Sequence, residues 1–327
     1  MIDLLSLIVQ TNAYKTVKGD KENGRLSHAY LLLTPDGEML TDYLKIFAKL
    51  LVCEEQTPCM KCRACKLIDQ NAYPDVQIFP LDGQSVKVED VNTLIEESYV
   101  KALEGDKKVF VLSQGQTMNL PSQNKLLKTL EEPPKNVHII IGATSEFPLL
   151  STVKSRVKKL EIPPFSADKL ISALDSECPD KEGLKNAVAC GDGTVGKALA
   201  LYKDENLKDA IDLAVDMLVN MNSSSQILDY SNKINSKEID FGEFLSVLEL
   251  LLRDMLVIAE GKENLAVNEK AKRIMQSAKN FSVGAIINAL DKITEAFERK
   301  KFNANQTMLI EWVLFQILEG KYKWQKL

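Results

Sequence analysis

The chain reads as an α/β domain followed by an all-α region. Three observations predict this. Five short apolar runs in the first half alternate with helix-period stretches, the pair Pro163-Pro164 ends that alternation, and from about residue 205 one amphipathic helix follows another. Short strands of consecutive apolar residues are what a parallel sheet covered on both faces requires, because neither side of such a strand meets water.

The strands expected in order are Ala29–Leu33, Val76–Phe79, Val109–Leu112, Val137–Ile141 and Val157–Ile162. Each is rich in residues that favour a pleated, buried surface. Between them, apolar spacing near 3.6 predicts helices over about 38–52, 88–103, 122–131 and 149–154, the third stopped by Pro133-Pro134. Ser166-Ala167-Asp168 has the polar start of a new helix, and residues 166–203 form a small helical unit interrupted by the turn Gly191-Asp192-Gly193-Thr194. Helices are then expected over Leu207–Met221, Phe241–Ala259, Val283–Arg299 and Asn305–Leu318, with Leu245, Leu248, Leu252, Met255 and Leu256 marking one buried stripe. The predicted division is an α/β domain over 1–164, a helical lid over 165–204 and a C-terminal helical domain over 205–327.

At 327 residues, 45% hydrophobic and 27% charged, the chain can bury two cores or three small ones. It has no apolar run of membrane-spanning length, and its N-terminus lacks a basic region and a cleavage site, so the expected setting is cytoplasmic with no membrane partner. A net charge of −5 argues against bulk attraction to nucleic acid. The local basic run Lys154, Arg156, Lys158 and Lys159 reads by itself as a solvated face.

The first candidate site is a damaged phosphate loop. A P-loop needs G-x-x-x-x-G-K-[ST] between a strand and a helix, its glycines bringing backbone N–H groups onto the phosphates and its lysine reaching the terminal ones. The eight positions here are Thr34, Pro35, Asp36, Gly37, Glu38, Met39, Leu40 and Thr41. Both glycines and the lysine are missing, Pro35 has no N–H, and two carboxylates add repulsion. A magnesium-binding acid belongs at the end of strand 109–112. Ser113 and Gln114 stand there, and neither hydroxyl nor amide replaces a carboxylate for a divalent ion. Two independent parts of one ATP site are lost together, which predicts that the chain neither binds nor hydrolyses ATP.

The second candidate is a metal site. Cys53, Cys59, Cys62 and Cys65 fall within 13 residues as C-x5-C-x2-C-x2-C. Four thiolates at such spacing suit one tetrahedral Zn²⁺ and leave no open position for chemistry, so the metal is expected to be structural. Lys61, Arg63 and Lys66 are placed to offset the roughly −2 charge of a Zn(Cys)4 centre. A disulfide is disfavoured in a reducing compartment, and a redox Cys-x-x-Cys does not bring two further cysteines. Cys178 and Cys190 read as core residues.

These features, with the run Asn124-Lys125-Leu126-Leu127-Lys128-Thr129-Leu130-Glu131-Glu132-Pro133-Pro134, the strand entry His28-Ala29-Tyr30, the strand end Ala143-Thr144-Ser145 and the pair Ser155-Arg156, resemble the clamp-loader AAA+ family of bacterial DNA polymerase III. The motifs cover about residues 1–200; beyond them the likeness is in helical character. Within that family, loss of both ATP motifs beside a retained Ser-Arg pair resembles the non-hydrolysing delta-prime type of subunit, not the ATP-hydrolysing tau/gamma type. Three departures stand out: Val157 follows Ser155-Arg156 where the family has cysteine, the first cysteine gap is short, and Gly196 lies where the lid's sensor arginine would fall.

The resemblance implies an AAA+ module with a zinc-binding insertion and a C-terminal collar. It implies that Arg156, with Ser155, acts in trans on ATP held by a neighbouring tau/gamma subunit. The implied partners are tau/gamma and delta subunits and, through the complex, the sliding β clamp and primed DNA. Three other readings stay open: an active tau/gamma-like ATPase with a deviant P-loop, which ATP turnover by the purified chain would reveal; a zinc-bearing adaptor that binds DNA itself, which would show as salt-sensitive DNA binding; and a non-replicative regulator reusing this scaffold, which partner identification would reveal.

Overall fold

In a computed structural model, residues 3–80, 85–204, 206–237, 239–263, 266, 268, 270–277, 281–301 and 305–323 are described. The chain divides into two units: residues 1–176 with 194–196, and residues 177–193 with 197–327.

The first unit is built on five strands, β1 (Ala29–Leu33), β2 (Val76–Phe79), β3 (Lys108–Leu112), β4 (Val137–Ala143) and β5 (Lys158–Glu161). They lie in the order β2-β3-β4-β1-β5, all pairs parallel, with Leu31 opposite Ile141 in β4 and Lys159 in β5. The pleat sends alternate residues to opposite faces. Tyr30, Leu32, Val109, Val111, Ile140 and Leu160 pack on one side with helices α1 (Leu4–Ile8), α2 (Asn12–Glu22), α3 (Leu40–Val52) and α4 (Arg63–Asp69). Ala29, Leu31, Phe110, Leu112, Ile139 and Ile141 face α5 (Val88–Ser98), α6 (Leu120–Glu131) and α7 (Ser151–Lys154). This double burial is why β1, β3 and β4 read as unbroken apolar runs. Gly142 in β4 lets α3 approach closely, since a Cβ there would stand 2.4 Å from Leu44 Cδ1. Helix α8 (Ala167–Leu174) also belongs to this unit.

Helix α5 ends at Ser98, short of the 103 expected from periodicity. The reason lies across the sheet. Asp75, just before β2 and almost fully buried, accepts hydrogen bonds from the backbone N–H groups of Leu103, Glu104 and Gly105 at 2.6, 2.8 and 2.8 Å. Those three residues are thereby held as a loop around a carboxylate. Burial alone would raise the Asp75 pKa; the three N–H donors outweigh it and hold the acid below its ordinary value.

The second unit is helical: α9 (Lys181–Cys190), the greater part of α10 (Val195–Lys203), α11 (Asn206–Asn220), α12 (Ser225–Ser236), α13 (Phe241–Ala259), α14 (Lys270–Ser277), α15 (Val283–Lys301) and α16 (Gln306–Lys323). One apolar core runs through it, with Leu245, Leu248, Leu252 and Met255 of the expected α13 stripe fully buried and Leu256 partly so. Cys178 and Cys190 are buried. α12 and α14 were not predicted; their polar faces dilute the apolar period in the sequence. Among the described residues, no helix is long and apolar enough to cross a membrane.

Candidate functional site

The turn from β1 into α3 sits where a P-loop would hold phosphate, and the chain has filled it. Asp36 is buried, with 4% of its surface exposed. Its carboxylate accepts hydrogen bonds from Met39 N–H at the start of α3 (3.2 Å), from the Tyr43 hydroxyl (2.9 Å), and from the N–H groups of Val195 (2.8 Å) and Gly196 (3.1 Å) at the start of α10. A helix N-terminus attracts an anion because its first N–H groups lack intrahelical partners. Here two such termini share one internal carboxylate. Burial, then the Asp36 charge, push the Tyr43 phenol far above its usual pKa, so it stays protonated and donates.

The other P-loop positions are equally committed. Thr34 is buried; its N–H donates to Ala143 O at 3.2 Å and its hydroxyl accepts from Asp36 N–H at 3.3 Å. Gly37 lies against Thr144, and a Cβ there would come within 3.2 Å of its methyl. Leu40, at the lysine position, is completely buried in the core, and Thr41 follows on the first turn of α3. Gly196 leaves no room for a side chain: a Cβ would meet Glu38 Cβ at 2.6 Å and Asp36 Oδ1 at 2.7 Å. The sequence showed Asp36 as a charge that repels phosphate. It did not show that the same charge replaces phosphate, because two of its donors lie about 160 residues away.

At the end of β3, Ser113 is buried and donates its hydroxyl to Phe79 O at 3.0 Å. Gln114 accepts from the Gln116 side chain at 2.9 Å, and its carbonyl accepts from the Thr117 hydroxyl at 2.6 Å. Ser113 therefore ties the end of β3 to β2, and Gln114 serves the tight turn that follows. Gly115 in that turn is packed so closely that a Cβ would come within 2.5 Å of Ile141 Cγ2.

The four cysteines do converge. The Sγ atoms of Cys53, Cys59, Cys62 and Cys65 all lie within 4.8 Å of one another. Tetrahedral bonds of about 2.3 Å put sulfurs roughly 3.8 Å apart, so a small contraction completes the shell. The backbone is shaped for it. Met60 takes a left-handed φ of 57°, Cys62 N–H points at Cys59 Sγ (3.3 Å), and Cys65 N–H points at Cys62 Sγ (3.4 Å) while Cys62 caps α4. Backbone N–H groups of Lys61 and Cys62 pull the Cys59 thiol down to about 6; burial pushes Cys53 and Cys65 up. Lys21 of α2 donates to the carbonyls of Cys53 and Glu55, both at 2.6 Å, and buried Lys49 of α3 pairs with Asp69 at the end of α4. Arg63, expected to balance the thiolates, instead forks onto Glu104 at 3.1 and 3.0 Å. That pair links the module to the loop that Asp75 organises.

Ser155 and Arg156 close α7 and precede β5. Ser155 is exposed, and about a third of the Arg156 side chain is exposed. Arg156 Nη1 donates to Thr152 O (2.8 Å) and to Ser155 Oγ (3.3 Å), and Nη2 pairs with Glu131 at 2.6 Å. Two lysines of the basic run pair within the chain: Lys158 bonds Asp20 at 2.7 Å, and Lys159 bonds Glu146 and Glu161 at 3.1 and 2.8 Å.

A five-stranded parallel sheet with a strand-turn-helix at the phosphate-loop position, followed by an all-helical unit, is the arrangement expected of the AAA+ clamp-loader module that the resemblance implies. Family models described as "DNA polymerase III, delta subunit" and "DNA polymerase III, delta subunit, C terminal" match residues 9–166 and 215–319. DNA polymerase III subunit delta' of Bacillus subtilis is 26% identical, the alignment covering 95% of this chain and 97% of that one. The gamma subunit of Buchnera aphidicola from Acyrthosiphon pisum is 24% identical over 96% and 95%. A solved gamma subunit-related protein of Thermotoga maritima aligns over 94% of this chain and 99% of its own at 17% identity, with a TM-score of 0.44. The chain belongs to the clamp-loader subunit family of DNA polymerase III and is delta-prime-like in its end-to-end match.

Proposed function

We propose that this subunit is a non-hydrolysing member of the clamp loader that supplies Arg156 to ATP bound by an adjacent tau/gamma subunit. The observation that carries the reading is the contrast between a phosphate cradle occupied by Asp36 and an arginine left partly exposed on the same module. A guanidinium is planar, permanently charged and weakly hydrated, which suits the equatorial oxygens of a γ-phosphate.

On this reading residues 1–164 are the AAA+ domain, 165–204 the lid and 205–327 the collar that joins tau/gamma and delta subunits. Exposed Met308, Phe315 and Tyr322 recur every seven residues along α16, a stripe suited to a partner helix. The assembled ring would load the sliding β clamp onto primed DNA. Cys53, Cys59, Cys62 and Cys65 would hold a structural Zn²⁺ that fixes the excursion between α3 and α4. The internal pairing of Lys158 and Lys159 weighs against a stand-alone DNA-binding adaptor.

Arg156→Ala in the reconstituted complex tests the proposal. Where an arginine finger acts in nucleotide hydrolases it contributes about 10³–10⁵ in rate. The site served by this subunit should fall nearly silent, lowering DNA-stimulated ATPase while assembly persists. An unchanged rate refutes the finger; ATP turnover by the purified subunit alone refutes the silent-subunit reading.

A further inference from the structure

We infer that Glu131 is a positioning residue that parks Arg156 on its own chain until a neighbour's phosphate displaces it; this rests on the finger reading above. Both terminal nitrogens of the Arg156 guanidinium are engaged internally, Nη2 by Glu131 and Nη1 by the Thr152 carbonyl and the Ser155 hydroxyl. These are the donors a γ-phosphate would need. The finger therefore has two competing anions, one intramolecular and always present, the other supplied by assembly and ATP.

Local physics does not favour a glutamate at this position. Glu131 is the last residue of α6, where unpaired carbonyls make the helix end negative and an acid is repelled. Arg156 offsets that repulsion, so each side chain has a reason to hold the other. Glu132, its neighbour, is the C-cap and Pro133-Pro134 follow, so the end of α6 is fixed in place. The pair is reversible, because the Glu131 and Arg156 side chains remain about 48% and 34% exposed. Such half-exposed pairs shift an equilibrium by only about two- to five-fold. Parking of this strength restrains the finger when the neighbouring site is empty or misaligned, and yields to a multiply charged phosphate.

The experiment compares complexes reconstituted with wild-type subunit, E131Q and R156A. E131Q keeps the shape of the side chain and removes its charge. Expected is a two- to five-fold rise in basal ATPase without DNA, where engagement of the finger is limiting. E131D, which keeps the charge, should restore most of the restraint. The ratio of E131Q to wild-type rates should shrink toward one as salt rises, because salt screens the wild-type pair; a purely structural role for Glu131 would not produce this. If R156A lowers the rate but E131Q leaves it unchanged or reduces it, parking is wrong and the finger stands. If R156A has no effect, both fall.

Discussion

The phosphate turn and the cysteine module are two loops at opposite ends of the same helix, α3, and they are completed in opposite ways. At the N-terminal end, the position of a phosphate loop is filled from within: Asp36 gathers the N–H groups of Met39, Val195 and Gly196. At the C-terminal end, four thiols converge, their Sγ atoms all within 4.8 Å of one another. The difference teaches that a turn shaped for an anion keeps its N–H groups satisfied when the chain itself supplies a carboxylate there. A carboxylate can stand in for a phosphate; nothing in the protein's own chemistry can stand in for a divalent cation among four sulfurs.

The largest effect expected from this contrast is at the cysteines. Structural Zn²⁺ sites in small modules carry apparent binding energies of about 10–16 kcal/mol at neutral pH. Metal analysis of the native subunit should find one zinc per chain. Cys62→Ser should lose it and sharply raise amide exchange over residues 53–70, with little change in β1, β3 and β4. A module that stays protected after complete metal removal would break the comparison, since that loop too would then be complete from within.

How much of this was legible in the sequence follows the same line. The strands, the cysteine cluster and the missing lysine and magnesium acid are all local patterns, and each is seen within a dozen residues. What the sequence hid are polar contacts between distant segments. Asp36 meets α10 from about 160 residues away, Asp75 shortens α5 by taking the N–H groups of Leu103 to Gly105, and Glu131 at the end of α6 meets Arg156 just past α7. A carboxylate in a loop normally points to water, so nothing in their neighbours announced that Asp36 and Asp75 are turned inward. Arg63 shows the converse: its position among the cysteines suggested charge balance, but its partner is Glu104.

A middle-sized effect is expected at Asp36. Asp36→Ala leaves three backbone donors and the Tyr43 hydroxyl without their acceptor in a buried place. Stranding buried donors costs about 1–3 kcal/mol each when water cannot reach them, and relaxation recovers part of the sum. A loss of roughly 3 kcal/mol in urea unfolding is expected, with exchange rising at residues 36–43 and 194–196. Asp36→Asn, which keeps one acceptor oxygen, should lose less. If Asp36→Ala is as stable as wild type, the turn does not depend on its internal anion, and the distinction between the two loops collapses.

Asp75 offers the smallest and most discriminating test, because it is an internal anion at a place where no ligand was ever expected. Its pKa lies below the ordinary value near 3.8, the three N–H donors outweighing the burial that opposes them. For an acid whose folded pKa is depressed, the unfolded chain binds the proton first as pH falls. The stabilisation is therefore fully present above about pH 4–5 and disappears as pH drops through the folded pKa. Asp75→Asn removes the charge and can direct an amide N–H at Leu103 N–H, so a loss of about 1–3 kcal/mol at pH 7 is expected. The gap between wild type and variant should stay constant from pH 8 to about 5 and narrow below that. A gap that persists unchanged at pH 3 would mean that the shape of Asp75, not its charge, organises residues 103–105. The charge-for-charge replacement argued for Asp36 would then lose its nearest internal precedent.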